Sequence, residues 1–512
     1  MQRILPCPTP SAPPRPLHDR LASRQLEQRL AASLPPHTLM QRAGLAVARL
    51  AMAWQPHAQR IVVLAGGGNN GGDGLVAATR LARDWPQRDV AVWWQGAPER
   101  LPDDARWAWQ QARAANLTWL QAAPEHPPDL VIDALLGLGL DRPVRGTALA
   151  ALRWLQACPA PTLCVDLPSG LDANTGHWWA DAPPQPAAQR ATLSLLTLKP
   201  GLFTGHGRVV AGASIWFDDL GAEPEPGTAA AWLVAPGGWP DTAALRADHA
   251  SHKGSRGDVL VLGGALPHAH AGIGMGGAAL LAARAALRAG AGRVYAALLG
   301  DAEQVPPWDM GQPALMLRSA TAALDSDLPE RATVVAGCGG GPAMATLLDA
   351  VLARCPRLVL DADALNALAQ RPDPEPLAAR QARGWWTVLT PHPLEAARLL
   401  RTDTATVQRD RLAAARTLAE RWHAVVVLKG SGSVVAAPGL TPRIVASGSG
   451  WLATAGSGDT LAGLLGARLS TLPWPAPPED LQAAVADTVA LHGTLPEHWP
   501  HRWPPTASDL LP

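Results

Sequence analysis

Five cysteines in 512 residues (Cys7, Cys158, Cys164, Cys338 and Cys355) are too few and too scattered for a disulfide framework. They are odd in number and none stands in C-x-x-C spacing, which argues against structural zinc and fits a reducing cytosol. Net charge is missing too. Forty-three basic residues balance 43 acidic ones, so no basic field exists to draw nucleic acid. No apolar run is long enough to span a bilayer, and the proline-rich start, 1–17, lacks the apolar core of a secretory signal. Neither a nucleic-acid nor a membrane partner is expected, and the expected location is cytoplasmic. Aromatics other than tryptophan are nearly absent: one Tyr (Tyr295) and two Phe (Phe203, Phe217) against 21 Trp. The tryptophans are spread out rather than clustered, so they carry no functional reading.

What is present is enough chain for two or three domains and an apolar fraction, 47%, normal for a globular protein. Apolar runs alternate with helical segments, the pattern of parallel α/β architecture. In the first half strands are expected over 60–65, 89–94, 129–135, 162–166 and 191–198, after a helical stretch, 17–54, broken at Pro35-Pro36. Proline, glycine, alanine and acids dominate 221–243, although Ala231-Trp232-Leu233-Val234 could form a short strand there. The second half restarts at Asp258 and predicts strands over 258–264, 293–299, 332–336, 357–360, 387–390, 424–428 and 433–437. Helices are expected at 277–289 and 481–492, with Gly290 placed as a C-terminal cap. The expected division is a disordered start (1–16), a first domain (17–221), a linker (222–245) and a second domain (246–505).

Two glycine-rich loops stand out. The first, Gly66-Gly67-Gly68-Asn69-Asn70-Gly71-Gly72-Asp73-Gly74, follows the run Ile61–Ala65 and satisfies G-x-G-x-x-G between a strand and a helix. The acid that would hold a ribose is missing near Trp94-Gln95-Gly96, and no Gly-Lys-Ser/Thr ending makes it a phosphate loop of the Walker type. Acids end two further strands, Asp133 before Ala134-Leu135-Leu136-Gly137 and Asp166 before Leu167-Pro168-Ser169-Gly170-Leu171-Asp172. Ligands of open α/β sheets gather at the carboxyl ends of strands, so Asn70, Asp133 and Ser169 could converge as hard-oxygen ligands of an alkali or alkaline-earth cation. The plainer alternative makes Asp133 and Asp172 caps of the elements that follow.

Asn69–Gly74, Asp133–Gly139, Asp166–Asp172 and Leu198-Lys199-Pro200-Gly201 together resemble, in order, the YjeF N-terminal domain, the epimerase of hydrated nicotinamide dinucleotides, NAD(P)HX. The resemblance covers about 17–221. It implies a Rossmann-like three-layer domain that binds the hydrate through Asn69, Asn70, Gly71, Gly72 and Asp73, through Gly137, Leu138, Gly139, Leu140, Asp141, Arg142 and Pro143, and through Asp166. It also implies potassium (K+) on Asn70, Asp133 and Ser169, with Asp166 handling the proton when R and S hydrates interconvert.

The second loop, Ala455-Gly456-Ser457-Gly458-Asp459, opens a helix whose N–H groups can hold developing negative charge while Asp459 accepts a proton. Lys429-Gly430, Thr390-Pro391-His392-Pro393 and Asp361-Ala362-Asp363-Ala364-Leu365-Asn366 also fall at strand ends. Singly, Lys429 reads as a solvated lysine and His392 as a packed loop histidine. With His252-Lys253-Gly254 and Gly277-Ala278-Ala279 they resemble the ribokinase-like family and, within it, the YjeF C-terminal domain, an ADP- or ATP-dependent NAD(P)HX dehydratase, over about 252–466. The resemblance implies hydrate contacts by Ala278, Gly339, His392 and Asp459, and nucleotide contacts by Lys429, Gly430, Ser431, Gly432, Ser433 and Gly458. Magnesium (Mg2+) accompanies the nucleotide, and ADP is favoured over ATP. Departures from the family pattern are Leu394 for glycine, which would narrow the backbone near His392, Gly337-Cys338-Gly339-Gly340-Gly341 for Gly-Pro-Gly, Ser457 for threonine, and a longer loop over 267–274.

The expectation is a bifunctional repair enzyme with Asp166 and Asp459 as its catalytic residues. Its oligomeric state stays open, a homo-oligomer included. A kinase of a small hydroxylated metabolite would explain the second half alone. A non-catalytic RNA- or protein-binding role for the first half is opposed by the zero net charge and by Asn70, Asp133 and Asp166.

Overall fold

The computed structural model describes residues 1–512 except 6–12, 116, 182–188, 213, 224–225, 236–248, 268–273, 372–373 and 512. Two compact units divide at Trp232/Leu233.

In the first unit, continuous apolar runs become strands buried on both faces, as parallel sheets require. The strands are β1 (Gln2–Leu5), β2 (Arg60–Gly66), β3 (Asp89–Gln95), β4 (Thr118–Leu120), β5 (Leu130–Ala134), β6 (Thr162–Val165), β7 (Arg190–Leu195) and β8 (Ser214–Asp218). Their order is β1-β8-β7-β6-β5-β2-β3-β4, parallel throughout except for β1 against β8. The chain moves outward through β2, β3 and β4, then resumes at β5 on the other side of β2. The switch point where ligands gather therefore lies between β2 and β5. The helix Thr38–Trp54 buries Met40, Ala43, Val47, Leu50 and Ala51 at helical spacing. It packs closely on the helix Asn69–Asp84, since a Cβ on Gly44 would lie 2.4 Å from the Val76 side chain.

The start of the chain differs from expectation. Gln2–Leu5 pairs antiparallel with Trp216 and Phe217 and buries Ile4, so these residues form an edge strand rather than a disordered lead. The signal is four residues long and is followed by prolines, too short for a periodicity to register. The rest of the proline-rich start, 6–12, lies outside the described residues. Within the expected linker, Ala231–Val234 is a strand; 224–225 and 236–245 lie outside the described residues, as does most of the 267–274 loop.

The second unit carries β9 (Asp258–Ala265), β10 (Arg293–Leu299), β11 (Met316–Ser319), β12 (Thr333–Ala336), β13 (Arg357–Leu360), β14 (Trp386–Leu389), β15 (Val425–Leu428), β16 (Ser433–Ala436) and β17 (Arg443–Val445). They run in the order β11-β10-β9-β12-β13-β14-β15-β16-β17, parallel as far as β15 and antiparallel beyond it. The switch point here lies between β9 and β12. The helices Gly276–Arg288 and Ser457–Thr471 cross at near backbone contact, because a Cβ on Gly463 would lie 2.0 Å from the Ala282 carbonyl oxygen. That approach seats the start of the second helix, with Asp459, over the sheet. Both units are α/β, as expected. Among the described residues no helix is long and apolar enough to cross a membrane.

Candidate active sites

The first glycine loop lies at the switch point of its sheet, and its glycines are required by close backbone approach. A Cβ on Gly66 would meet the Leu135 carbonyl oxygen at 2.0 Å, and one on Gly71 would meet the Gly66 carbonyl oxygen at 1.9 Å. Gly72 is likewise packed against Met40. Gly71 and Gly72 are buried, and close packing accounts for the absence of a side chain at both.

Asp133 is buried and caps no helix. Its carboxylate accepts from the Ser169 hydroxyl at 2.5 Å and from the Ser169 N–H at 2.9 Å. The Ser169 hydroxyl accepts the Leu136 N–H at 2.8 Å, and the Asn70 amide donates to the Leu136 carbonyl at 3.1 Å. Burial pushes the Asp133 pKa up, with the Ser169 bonds pulling against it. Asn70 and Ser169 thus meet at the Leu136 carbonyl with Asp133 bonded to Ser169, and a buried carboxylate, a hydroxyl, an amide and a carbonyl fit a hard monovalent cation. Asp172 takes the plainer role. It accepts from the Asn174 and Thr175 N–H groups at 2.9 and 3.0 Å and from the Trp179 indole at 3.2 Å, organising a turn.

Asp166 follows β6 with φ 63, a left-handed conformation uncommon for a residue with a side chain and concentrated at functional positions. Its carboxylate accepts the Leu195 N–H at 3.1 Å and ion-pairs with Lys199, whose ammonium also donates to the Leu195 carbonyl at 2.6 Å. The pair lines a cavity of about 1220 Å³, whose walls also include Asn69, Asn70, Asp73 and the whole 137–143 loop. Burial, reinforced by the charges of Glu27 and Asp166, holds the Asp73 carboxyl well above the usual range. Lys199 and Glu27, both on this wall, were missed as site residues. Lys199 stood within a quoted motif at a strand end, which was the available signal; Glu27 had none.

In the second unit the loop Gly337–Gly341 follows β12, and three further strands end on site residues. After β13, Asp361 accepts from Thr390 Oγ1 at 2.7 Å and from the Lys429 ammonium at 2.8 Å. Burial alone would lower the Lys429 pKa, but the Asp361 and Glu395 carboxylates outweigh it and raise it. Lys429 is therefore an ion-paired, largely buried lysine rather than a solvated one. A Cβ on Gly458 would lie 3.3 Å from its Nζ, which places the ammonium against the second glycine loop. Gly456 precedes the helix with φ 88, and Asp459 sits in the first turn. Burial, followed by the Asp361 charge, raises the Asp459 pKa from 3.8 to about 6, while a hydrogen bond with the Cys338 thiol and the Lys429 charge oppose the rise.

Ala278 and Gly339 are neighbours, since a Cβ on Gly339, at φ 61, would lie 2.8 Å from the Ala278 Cβ. His392 caps the helix Pro393–Leu400, its Nδ1 accepting from the Leu394 and Glu395 N–H groups at 3.1 and 3.3 Å. That leaves its ring proton on Nε2, 3.3 Å from Glu395 Oε1. Glu395 is buried and its pKa is pushed to about 7, chiefly by that burial. Leu394 is 46% exposed. The 429–433 loop is shaped by Arg411, a buried guanidinium that donates to the Leu428 and Lys429 carbonyls at 3.1 and 3.2 Å. Gly430 takes φ 137 against it, and Ser433 Oγ donates to the Gly430 carbonyl at 3.3 Å. Ligand atoms of Cys338, Asp361 and Asp459 lie within 4.8 Å of one another. A buried thiol is a poor partner for magnesium, and the carboxylates supply few oxygens, so this set suits a cation carried largely by nucleotide phosphates.

Acids, a lysine and tight glycine turns gathered over parallel strand ends, twice in one chain, define a two-site α/β enzyme. Residues 36–201 match the family model of the YjeF-related protein N-terminus and 255–509 that of NAD(P)H-hydrate dehydratase. The chain is 37% identical over 456 residues to the bifunctional NAD(P)H-hydrate repair enzyme of Escherichia coli K12, spanning 85% of this chain and 80% of that one. It is 36% identical over 460 residues to the enzyme of the same name from Coxiella burnetii, spanning 88% and 89%. A solved structure of the ADP/ATP-dependent NAD(P)H-hydrate dehydratase of Bacillus subtilis, co-crystallized with ATP and Mg2+, is 30% identical with TM-score 0.43, covering 51% of this chain and 89% of its own. The chain belongs to the family of bifunctional NAD(P)H-hydrate repair enzymes.

Proposed function

We propose that the first unit interconverts the R and S hydrates of NADH and NADPH and that the second, using ADP, dehydrates the S hydrate to NAD(P)H with release of AMP and phosphate. The observation that carries this reading is that two such groups of residues stand on one chain: Asp166 paired with Lys199 on a large cavity, and Asp459 at a helix start whose glycine turn lies against the Lys429 ammonium.

At the second site Asp459 takes the proton of the hydrate's C6 hydroxyl as its oxygen attacks the terminal phosphorus of the nucleotide. The N–H groups of the Gly456–Asp459 turn and the Lys429 ammonium hold the charge that develops. Phosphate then leaves C6, and loss of a proton from C5 restores the ring double bond. Lys429, Gly430, Ser431, Gly432, Ser433 and Gly458 hold the nucleotide; Ala278, Gly339 and His392 hold the hydrate. Magnesium, when bound with the nucleotide, neutralises phosphate charge. At the first site Asn69, Asp73 and the 137–143 loop bind the hydrate, and Asn70, Asp133 and Ser169 hold potassium, whose positive charge offsets the buried carboxylate. The enzyme works in the cytoplasm.

The test supplies full-length protein with purified R- or S-NADHX and either nucleotide, following the near-ultraviolet absorbance of the reduced nicotinamide. The S form should be repaired only with nucleotide, and the R form should follow at the epimerisation rate. No recovery, with phosphorylation of a small hydroxylated metabolite instead, would overturn the reading.

A further inference from the structure

We propose that Glu27 is a second proton-handling group of the epimerase, working from the helix above the sheet while Asp166 works from the sheet edge. The proposal rests on the epimerase reading of this cavity. Glu27 lies on the helix Arg20–Ser33, whose orientation is fixed by two bonds. The Arg20 N–H donates to Asn174 Oδ1 at 2.8 Å, and the hydroxyls of Ser23 and Thr197 share a hydrogen bond of 2.7 Å. Thr197 lies two residues from Lys199. Residues four apart share a helix face, so Glu27 follows Ser23 one turn later along the face turned to Thr197 and Lys199. Its carboxyl accepts from the Asn69 amide at 3.4 Å, which fixes it between the first glycine loop and the Asp166–Lys199 pair, on the cavity wall. The charged groups that face it are Asp166, Lys199, Arg24 and Asp73. Burial first and the Asp166 charge next hold the Glu27 carboxyl above the usual range, against the Asn69 bond, so it keeps its proton longer than an ordinary glutamic acid. Asp166, fixed beside an ammonium, has the complementary role.

Inverting C6 of the hydrate needs an acid and a base together. Glu27 gives its proton to the C6 hydroxyl, the C–O bond breaks with its electrons leaving on water, and the lone pair of the adjacent ring nitrogen forms a planar C=N cation. Water then adds to the other face, the π electrons return to nitrogen, and the proton it sheds goes to Asp166. Exchange with solvent returns both groups to their starting states. An acid and a base on facing walls of one cavity, Glu27 on the helix and Asp166 after the strand, are what such a step uses.

The test is E27Q and E27D in the full-length chain, with nucleotide-dependent repair of the S hydrate as the measure of an intact fold. In E27Q the R-to-S rate constant should fall by ~10²–10⁴-fold with little change in KM. The loss of rate at high pH that marks a required acid should vanish, and E27D should recover part of the rate. A Gln variant that epimerises at nearly the wild-type rate with the same pH profile, or one that changes KM alone, overturns the proposal. Wild-type protein that does not speed epimerisation beyond the spontaneous rate overturns the epimerase reading itself.

Discussion

Dehydratase activity should follow the ionisation of Asp459. A base must be ionised to accept a proton, so kcat/KM for the S hydrate should rise with pH, reach half its maximum at about pH 6, and level off above. Below that midpoint each pH unit should lower the rate about tenfold. The displacement from 3.8 to about 6 represents about 3 kcal/mol favouring the protonated acid, at about 1.4 kcal/mol for each tenfold change. Burial is the largest contributor and the Asp361 charge the second. Asp361→Asn should therefore move the midpoint down. The same change frees Lys429 from its partner, and its charge acts on Asp459 in the same direction. Lys429→Met should move the midpoint up, because it removes a cation that favours the carboxylate. A midpoint survives a fall in overall rate, so both shifts stay measurable in slow variants. The assay is initial rate against pH between about pH 5 and about pH 8 at subsaturating hydrate and excess ADP. A flat profile in the wild type, or midpoints that move the same way in both variants, would refute Asp459 as the base.

Asp166→Asn should lower R-hydrate repair by ~10²–10⁴-fold while nucleotide-dependent repair of the S hydrate continues, read by supplying each epimer separately. Asp133→Asn should raise the potassium concentration for half-maximal epimerisation by about tenfold or more, measured by titrating potassium against a background of tetramethylammonium. Gly71→Ala places a Cβ 1.9 Å from the Gly66 oxygen and should destabilise the first unit by ~1–3 kcal/mol in denaturant unfolding. Gly68→Ala, with nothing within 4 Å of its Cβ and an extended backbone, should change stability by less than ~0.5 kcal/mol.

Much of this was legible because the two sites are built at strand ends. Strands such as 60–65 and 357–360 announce themselves as apolar runs, and the residue after each run then falls on the ligand edge of the sheet. That logic finds Asp166, Asp361 and Lys429 without coordinates, and Asp133 falls one residue before the end of its strand. It misses short strands: Thr118–Leu120, Met316–Ser319 and Arg443–Val445 are too brief for a period to be counted. It also misses partners contributed from elsewhere. Arg411 lies inside a helix and reads as an ordinary surface cation, yet the fold buries it beneath the 429–433 loop. Glu27 is one acid among several polar residues of its helix, and the Ser23–Thr197 and Asn69–Glu27 bonds show which face turns to the cavity. His392 was placed at the site by its motif, but its capping bonds, which orient the ring, come from backbone geometry that a residue string does not carry.

The two rims of the first cavity differ in tolerance. The glycine-loop rim is wedged: Gly66, Gly71 and Gly74 each have a neighbour within 2.5 Å of where a Cβ would sit, so displacing this segment collides with Leu135, Gly66 or Ala134. The 137–143 rim is wedged only at its root, where Gly137 abuts Asn70; farther along, Gly139 has a single neighbour at 3.6 Å, and Asp141, Arg142 and Pro143 face solvent. A catalyst that must admit both mirror arrangements of one carbon needs a fixed reference and some slack. Here the slack is confined to the far part of the 137–143 rim, away from the glycine loop with Asp73. Variation in this family that broadens or narrows ligand choice is therefore expected to accumulate in 138–143, while Gly66, Gly71 and Gly74 of the opposite rim stay closed to larger side chains.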